Sequence, residues 1–453
     1  MDVAETQRET EREVTALLRD LIRINTTNPP GNETEAAEYL ADKLAEDGLE
    51  CEVVESTAGR GSLVTRLKGA GGRPRLLLLS HLDVVAANPK EWSADPFGGV
   101  VKNGFVWGRG ALDMKSMTAI EVMVLKLLRR RGVKLKGDVV LAATADEEKG
   151  GELGVGWLAR HHPEMIRADF VLNEGGGLAL PVNGKSVYTI QTAEKGVLWF
   201  RVKAKGAPAH GSKPGLGDNA IMRMNRVVQR LGDYRGEVVL VPTVKQYLTE
   251  LAEHGQTSGG ILKQLLQTPA AADKLLDRLA ETDKVFAEDV RAMIRNTVAP
   301  TMIAGGVKEN IIPSECEATF DCRVLPGQST HQVMATLKGL LADVGLDKLE
   351  FTTIQASEPS ESPVDTALYR LVTEVLGEAE PGCSVAPTML TGGTDSRFLR
   401  SAGAVCYGFQ PMKSDMPYGE ILKLIHGVDE RISVANLLFG TNVLYSIVER
   451  FSS

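Results

Sequence analysis

In the stretch SHLDVV, His81 follows the apolar run Leu76–Leu79 with only Ser80 between, and Asp83 stands two residues further on. A histidine at the carboxyl end of a buried strand points into the crevice where ligands of open α/β sheets bind. A nearby carboxylate can fix which of its ring nitrogens is free to hold a metal. Taken alone, His-x-Asp is equally compatible with a satisfied structural histidine. In VWGRGALDMKSM, a glycine-rich loop ends on Asp113 just before a helix expected from about Lys115. That acid could cap the helix, or it could hold a ligand that the glycines let the backbone approach.

LAATADEEKGG is the most telling stretch. Asp146, Glu147 and Glu148 crowd like charges at the end of a buried strand, which is tolerable where a cation neutralises them. Adjacent acids can divide the work, one binding metal and the other exchanging protons with an activated water. Glu174 in LNEGGG ends the next strand, and His426 in KLIHGVDERI lies in a loop before the last helix. Together His81, Asp113, Glu148, Glu174 and His426 supply two imidazoles and three carboxylates. That set suits two zinc ions sharing one bridging carboxylate, and cobalt or manganese would accept the same ligands. Such a cluster also serves two-metal phosphoester chemistry, for which only Arg109 and Lys115 stand near as cations.

These residues need a scaffold, and the pattern around them predicts one. From about Ser62 to Asn173, apolar runs such as LLLLS and VVLAAT alternate with helical stretches. The expectation is an α/β layer with a mostly parallel mixed sheet flanked by helices, its strands covered on both faces. After Gly184, segments such as VLWFRVKAKG and CEATFDCRVLPG alternate with period two, which suits an antiparallel sheet exposed on one face. The expected division is residues 1–191 and 357–453 for the first domain and 192–356 for an α+β domain inserted into it. A charged, helical insertion occupies about 248–296 and is read as part of a roomier or more apolar lid.

Composition narrows the function. The 453 residues carry a net charge of −8, so there is no basic field for a nucleic-acid backbone. No run approaches the length of a membrane span, and the densely charged N-terminus lacks signal-peptide character. Five cysteines without CxxC spacing suggest a reducing compartment. The expectation is a cytoplasmic protein with no membrane or nucleic-acid partner.

The ordered series SHLDVV, GRGALDMK, ADEEKGG, NEGG and HGVDERI resembles metallopeptidase family twenty, a resemblance that extends over about residues 12 to 450. That family includes aminoacylases, acetylornithine deacetylases, succinyl-diaminopimelate desuccinylases and glutamate carboxypeptidases. The resemblance implies a zinc-peptidase catalytic domain with an inserted lid and dimerisation domain, acting on N-acyl amino acids or short peptides with a free carboxylate. It implies one zinc on His81, Asp113 and Glu174, a second on Asp113, Glu148 and His426, with Glu147 as general base and Asp83 supporting the site. A cis peptide between Asp113 and Met114 is implied too. In the second domain, His210 of GAPAHGSKP matches a histidine that reaches a partner subunit's active site across a homodimer. Asn310 and Arg323 match contacts to a substrate carboxylate, and Gly392, Gly393 and Thr394 match a substrate-binding loop. Lys195 stands where desuccinylases carry an arginine, so a substrate contact is expected there from a point charge rather than a fork. This departure argues against desuccinylase activity.

Overall fold

The structure, a computed structural model, describes residues 3–255 and 257–453. Ten strands form a mixed sheet whose central order is Cys51–Glu55, Gly61–Leu67, Val139–Thr144, Leu76–His81, Phe170–Asn173, Val405–Gly408, Lys185–Glu194 and Ser360–Glu361. Leu76–His81 runs parallel to both of its neighbours, and Val405–Gly408 runs parallel to Phe170–Asn173. The continuous apolar runs are explained by burial on two faces. Leu76 and Leu78 enter the core beneath helices Val3–Arg23, Lys115–Arg130 and Val434–Ser452. Leu77 and Leu79 enter another beneath Val155–His161 and Ser396–Ser401. Each such side chain removed from water contributes about 2 kcal/mol, which fixes the strand ends from which the chemistry-bearing residues project.

A second, four-stranded antiparallel sheet has the order Thr297–Gly305, Glu315–Val324, Gly196–Lys205 and Leu349–Ser357. Helices Ala220–Gly232 and Thr330–Gly339 cover one of its faces. The chain passes between the two sheets at Lys195 and returns at residues 358–359. The crossings are neighbours, since Glu194 pairs with Ser360 and Val197 with Ser357.

The helical insertion falls between strands Gly196–Lys205 and Thr297–Gly305 in chain order. Its helices, Pro242–His254, Thr257–Gln267, Ala272–Ala280 and Lys284–Met293, begin earlier than residue 248. They pack on the larger sheet, where Val244, Leu248 and Leu276 share a core with Val187, Ala193, Ala386 and Met389. An amphipathic stripe must bury its apolar face somewhere, and the strands Lys185–Glu194 and Ser384–Leu390 offer the apolar surface.

Candidate metal centre

Seven of the expected residues converge at the carboxyl ends of the large sheet's strands. His81, the last residue of its strand, is buried. Its Nδ1 lies 3.0 Å from the Asp83 carbonyl oxygen. A carbonyl only accepts, so Nδ1 carries the proton and Nε2 faces the centre, 3.1 Å from Asp113 Oδ1 and 3.7 Å from Glu174 Oε2. On the other side, His426 Nε2 is 3.1 Å from Asp113 Oδ2 and 3.2 Å from Glu148 Oε2. Asp113 thus offers one oxygen to each half. The peptide from Asp113 to Met114 is cis, as the resemblance implies.

Asp83 does something other than hold the imidazole. Its Oδ1 lies 3.5 Å from His81 Nδ1, beyond the carbonyl that already takes that proton. Its two oxygens instead accept the backbone amides of Glu147 at 3.0 Å and Glu148 at 3.1 Å, and Oδ2 also accepts from the Asn28 amide. A carboxylate under two peptide N–H groups fixes the turn that aims both glutamates. Asp146, in the left-handed region at φ 76°, makes that turn possible. It is held by Arg60 at 2.9 Å and by the Leu153 amide. Gly151 is obligatory there, because a Cβ would lie 2.0 Å from Asp395 Oδ1.

Reasoning from sequence missed four supports. Glu430, fully buried, accepts the amides of Gly110, Leu112 and Asp113 and pairs with Arg109 at 2.8 Å. Arg109 in turn donates to the carbonyl oxygens of His426 and Gly427. One ion pair therefore sets both the Asp113 loop and the His426 loop. Asn28 binds Asp83, and Asp395 sits buried with neither oxygen hydrogen-bonded. Glu430 of HGVDERI was in view as sequence, but its partners lie hundreds of residues away.

The electrostatics are those of an acid cluster. Burial, then the charge of Glu174, pushes the Glu147 carboxyl well above its ordinary value. Burial also raises Glu174 and lifts Asp395 to about 7. Burial would lower the His81 imidazole, but the neighbouring carboxylates of Asp113, Asp83 and Glu174 outweigh it and raise it well above normal. Bonds to Asp113 and Glu148 raise His426 to about 10. The same two histidines hold Asp113 well below the carboxylate range despite burial. The donor set fits divalent cations. His81, Asp113 and Glu174 form one group with ligand atoms within 4.8 Å of one another, and Asp113, Glu148 and His426 form another. Glu148 Oε1 is buried without a hydrogen-bond partner. Imidazole nitrogen with carboxylate oxygen is a donor set common to zinc, cobalt and manganese.

The other expected residues are distributed differently. His210 and Asn310 are exposed and adjacent. His210 pairs with Ile311 in a two-stranded ribbon, and the Asn310 carbonyl accepts from Gly211. His210 Nδ1 accepts from the Ser212 amide at 3.1 Å. Arg323, half-buried, forms a fork on Asp321 at 2.7 and 3.1 Å. Gly392 and Gly393 lie in the loop after Ser384–Leu390, where a Cβ would meet Leu390 at 3.9 Å and Arg397 and Val197 at 3.8 Å, ordinary contact distances. Two of the expected substrate contacts have partners within the chain. Lys195 is buried, and its ammonium donates to the carbonyls of Ala292 and Arg295 and to Thr297 Oγ1. Its three donors cap the end of the insertion and leave none for a substrate. Thr394 is buried with both its amide and its hydroxyl donating to Glu194.

Residues 77–450 match Peptidase family M20/M25/M40. The chain belongs to this family. It is a metal-dependent amide hydrolase with the mixed α/β fold of its class. Among curated relatives, the N-fatty-acyl-amino acid synthase/hydrolase PM20D1 of Mus musculus is 27% identical over 387 residues, covering 82% of this chain and 73% of that protein. Aminoacylase-1 of Sus scrofa is 27% identical over 458 residues, covering 98% and 97%. The M20 family metallo-carboxypeptidase Sso-CP2 from Sulfolobus solfataricus superposes with a TM-score of 0.73 at 18% identity, covering 97% of this chain and 99% of that one.

Proposed function

We propose that this family member hydrolyses the amide of N-acyl amino acids or short peptides bearing a free carboxylate, using two zinc ions and Glu147 as general base. The observation that carries the reading is Asp113 with one oxygen in each of two ligand groups, beside a glutamate with a strongly raised carboxyl. The names of the aminoacylase and PM20D1 relatives support the N-acyl amino acid class. His81, Asp113 and Glu174 would hold one cation, and Asp113, Glu148 and His426 the other. When bound, the cations would polarise the amide carbonyl and acidify the attacking water.

The chain's own groups do the rest. Glu147 takes a proton from the attacking water as the new C–O bond forms, and returns it to the nitrogen as the C–N bond breaks; the water's second proton also ends on the nitrogen, giving a carboxylate and an ammonium. Asp83 keeps Glu147 aimed through its backbone amide. Arg323 would receive the substrate carboxylate by exchanging it for Asp321, with Asn310 and the Gly392–Gly393 loop lining the site. Residues 192–356 would serve as the lid and dimerisation domain, bringing His210 of one subunit to the oxyanion of its partner. Among the described residues no helix is long and apolar enough to cross a membrane, and all five cysteines are unpaired. Free cysteines suit a cytoplasmic setting.

Glu147→Ala is expected to keep the native complement of metal, measured by atomic absorption, while kcat falls by about a thousandfold. Hydrolysis of N-acetyl amino acids at the native rate by this variant would remove Glu147 from the role.

A further inference from the structure

Two cavities adjoin beside the candidate metal centre. The inner one, of about 290 Å³, is bordered by Leu112, Gly175 and Ile425, each next in sequence to one of Asp113, Glu174 and His426, and by Thr391 of the glycine loop. Most of its wall is apolar, with Met389, Leu390, Met412 and Ile421 contributing. The outer one, of about 450 Å³, lies between Leu180–Asn183 and the helical insertion, against Leu251, Leu262, Leu279 and Phe286, with Ser258, Thr282 and Asp283 adding a polar share to its wall. Leu180, Tyr247 and Tyr418 line both cavities, so the two are neighbours across these three side chains; joined at this waist, they would make a corridor from the centre to the insertion.

The walls select the occupant. Among the described residues no lysine or arginine lines either cavity, and the charged groups present are the acids Asp283 and Asp289, so an anionic tail is disfavoured. A peptide would bring a backbone donor and acceptor at every residue, and each would need a partner once buried. An unbranched hydrocarbon needs none, and each methylene taken from water strengthens binding about fourfold. An acetyl group or a single amino acid would leave nearly all of this length unused.

We propose that the corridor holds the acyl chain of a long-chain N-acyl amino acid. The scissile amide lies at Asp113, and the tail runs past Ile421 and through the Tyr247–Tyr418 waist to the insertion. The proposal rests on the amide-hydrolase reading and names its substrate class. It also gives the helices at 242–293 a use, since they supply the far wall. The short helix Tyr418–Leu424 forms part of the inner wall and leads directly into His426, so the tail packs on the element that delivers a candidate ligand.

The test is a series of N-acetyl, N-octanoyl and N-hexadecanoyl derivatives of one amino acid, assayed on the zinc-loaded native chain and on Leu180→Trp, which narrows the waist. Displacement of a fluorescent fatty acid by hexadecanoate is measured alongside. The native kcat/KM is expected to rise at least about tenfold from acetyl to hexadecanoyl. Leu180→Trp, with unchanged circular dichroism, is expected to reduce that ratio and to weaken hexadecanoate binding by a similar factor. Hydrolysis of the acetyl substrate without long-chain preference or hexadecanoate binding overturns the corridor and leaves the hydrolase reading standing. Hexadecanoate binding with no hydrolysis of any N-acyl amino acid upholds the corridor and overturns the hydrolase reading.

Discussion

The two histidines that flank Asp113 reach it by different means. His81 ends a central strand, is 2% exposed and has its Nδ1 proton fixed by the Asp83 carbonyl. His426 has its side chain 52% exposed and sits on a loop in the left-handed region at φ 58°. That loop is pinned through its own carbonyl and that of Gly427 by Arg109. The first half of the centre is built into the sheet, whereas the second is delivered to it. A loop-borne ligand opens more readily than one set in a core strand, so the His426 side is expected to exchange its cation faster.

The largest effect tests what the halves share. Asp113→Ala is expected to lose both cations and all turnover above background, read as metal per chain after gel filtration; retention of one equivalent would make Asp113 a ligand of one half only. A smaller effect should separate the halves. His426→Ala is expected to keep one cation per chain, while His81→Ala loses the sheet-side cation and also unfolds at a lower temperature, because it empties a buried position. Equal metal content and equal thermal midpoints in the two variants would end the distinction.

The smallest effect concerns an acid buried away from the centre. Glu121 lies within helix Lys115–Arg130, fully buried with neither oxygen hydrogen-bonded, and burial pushes its carboxyl up to about 8. Between the ordinary value of 4.5 and about 8, the unfolded chain releases a proton that the folded chain keeps, so stability falls as pH rises through that window. Glu121→Gln is therefore expected to raise the thermal midpoint by on the order of 2 °C or more at pH 8 and by less at pH 5. The same shift at both pH values would show that Glu121 folds in its charged form.

Much of the centre was legible because parallel strands buried on both faces read as unbroken apolar runs, and a residue directly after such a run must lie at the sheet's carboxyl edge. His81, Glu147, Glu148 and Glu174 all occupy such places. The supports were not legible, since Glu430 acts on amides 317 to 320 residues away. The partners of Lys195 were hidden for a related reason. Its charge suggested a substrate, and nothing local announced that the chain would bring carbonyls 97 and 100 residues on to meet it. The periodicity of 248–296 announced a buried face without naming the surface that would bury it.

The neighbouring crossings at Lys195 and at 358–359 mean that the second sheet enters and leaves through a single doorway. In engineering terms it is nearly a cassette, because removing residues 197 to 357 would leave two chain ends close enough for a short linker to join. The helices at 242–293 break that modularity. They would leave with the cassette and strip the cover from Val187, Ala193, Ala386 and Met389, exposing an apolar face of the remaining sheet. A trimmed catalytic layer would therefore need new polar side chains at those four positions before it could stand alone in water.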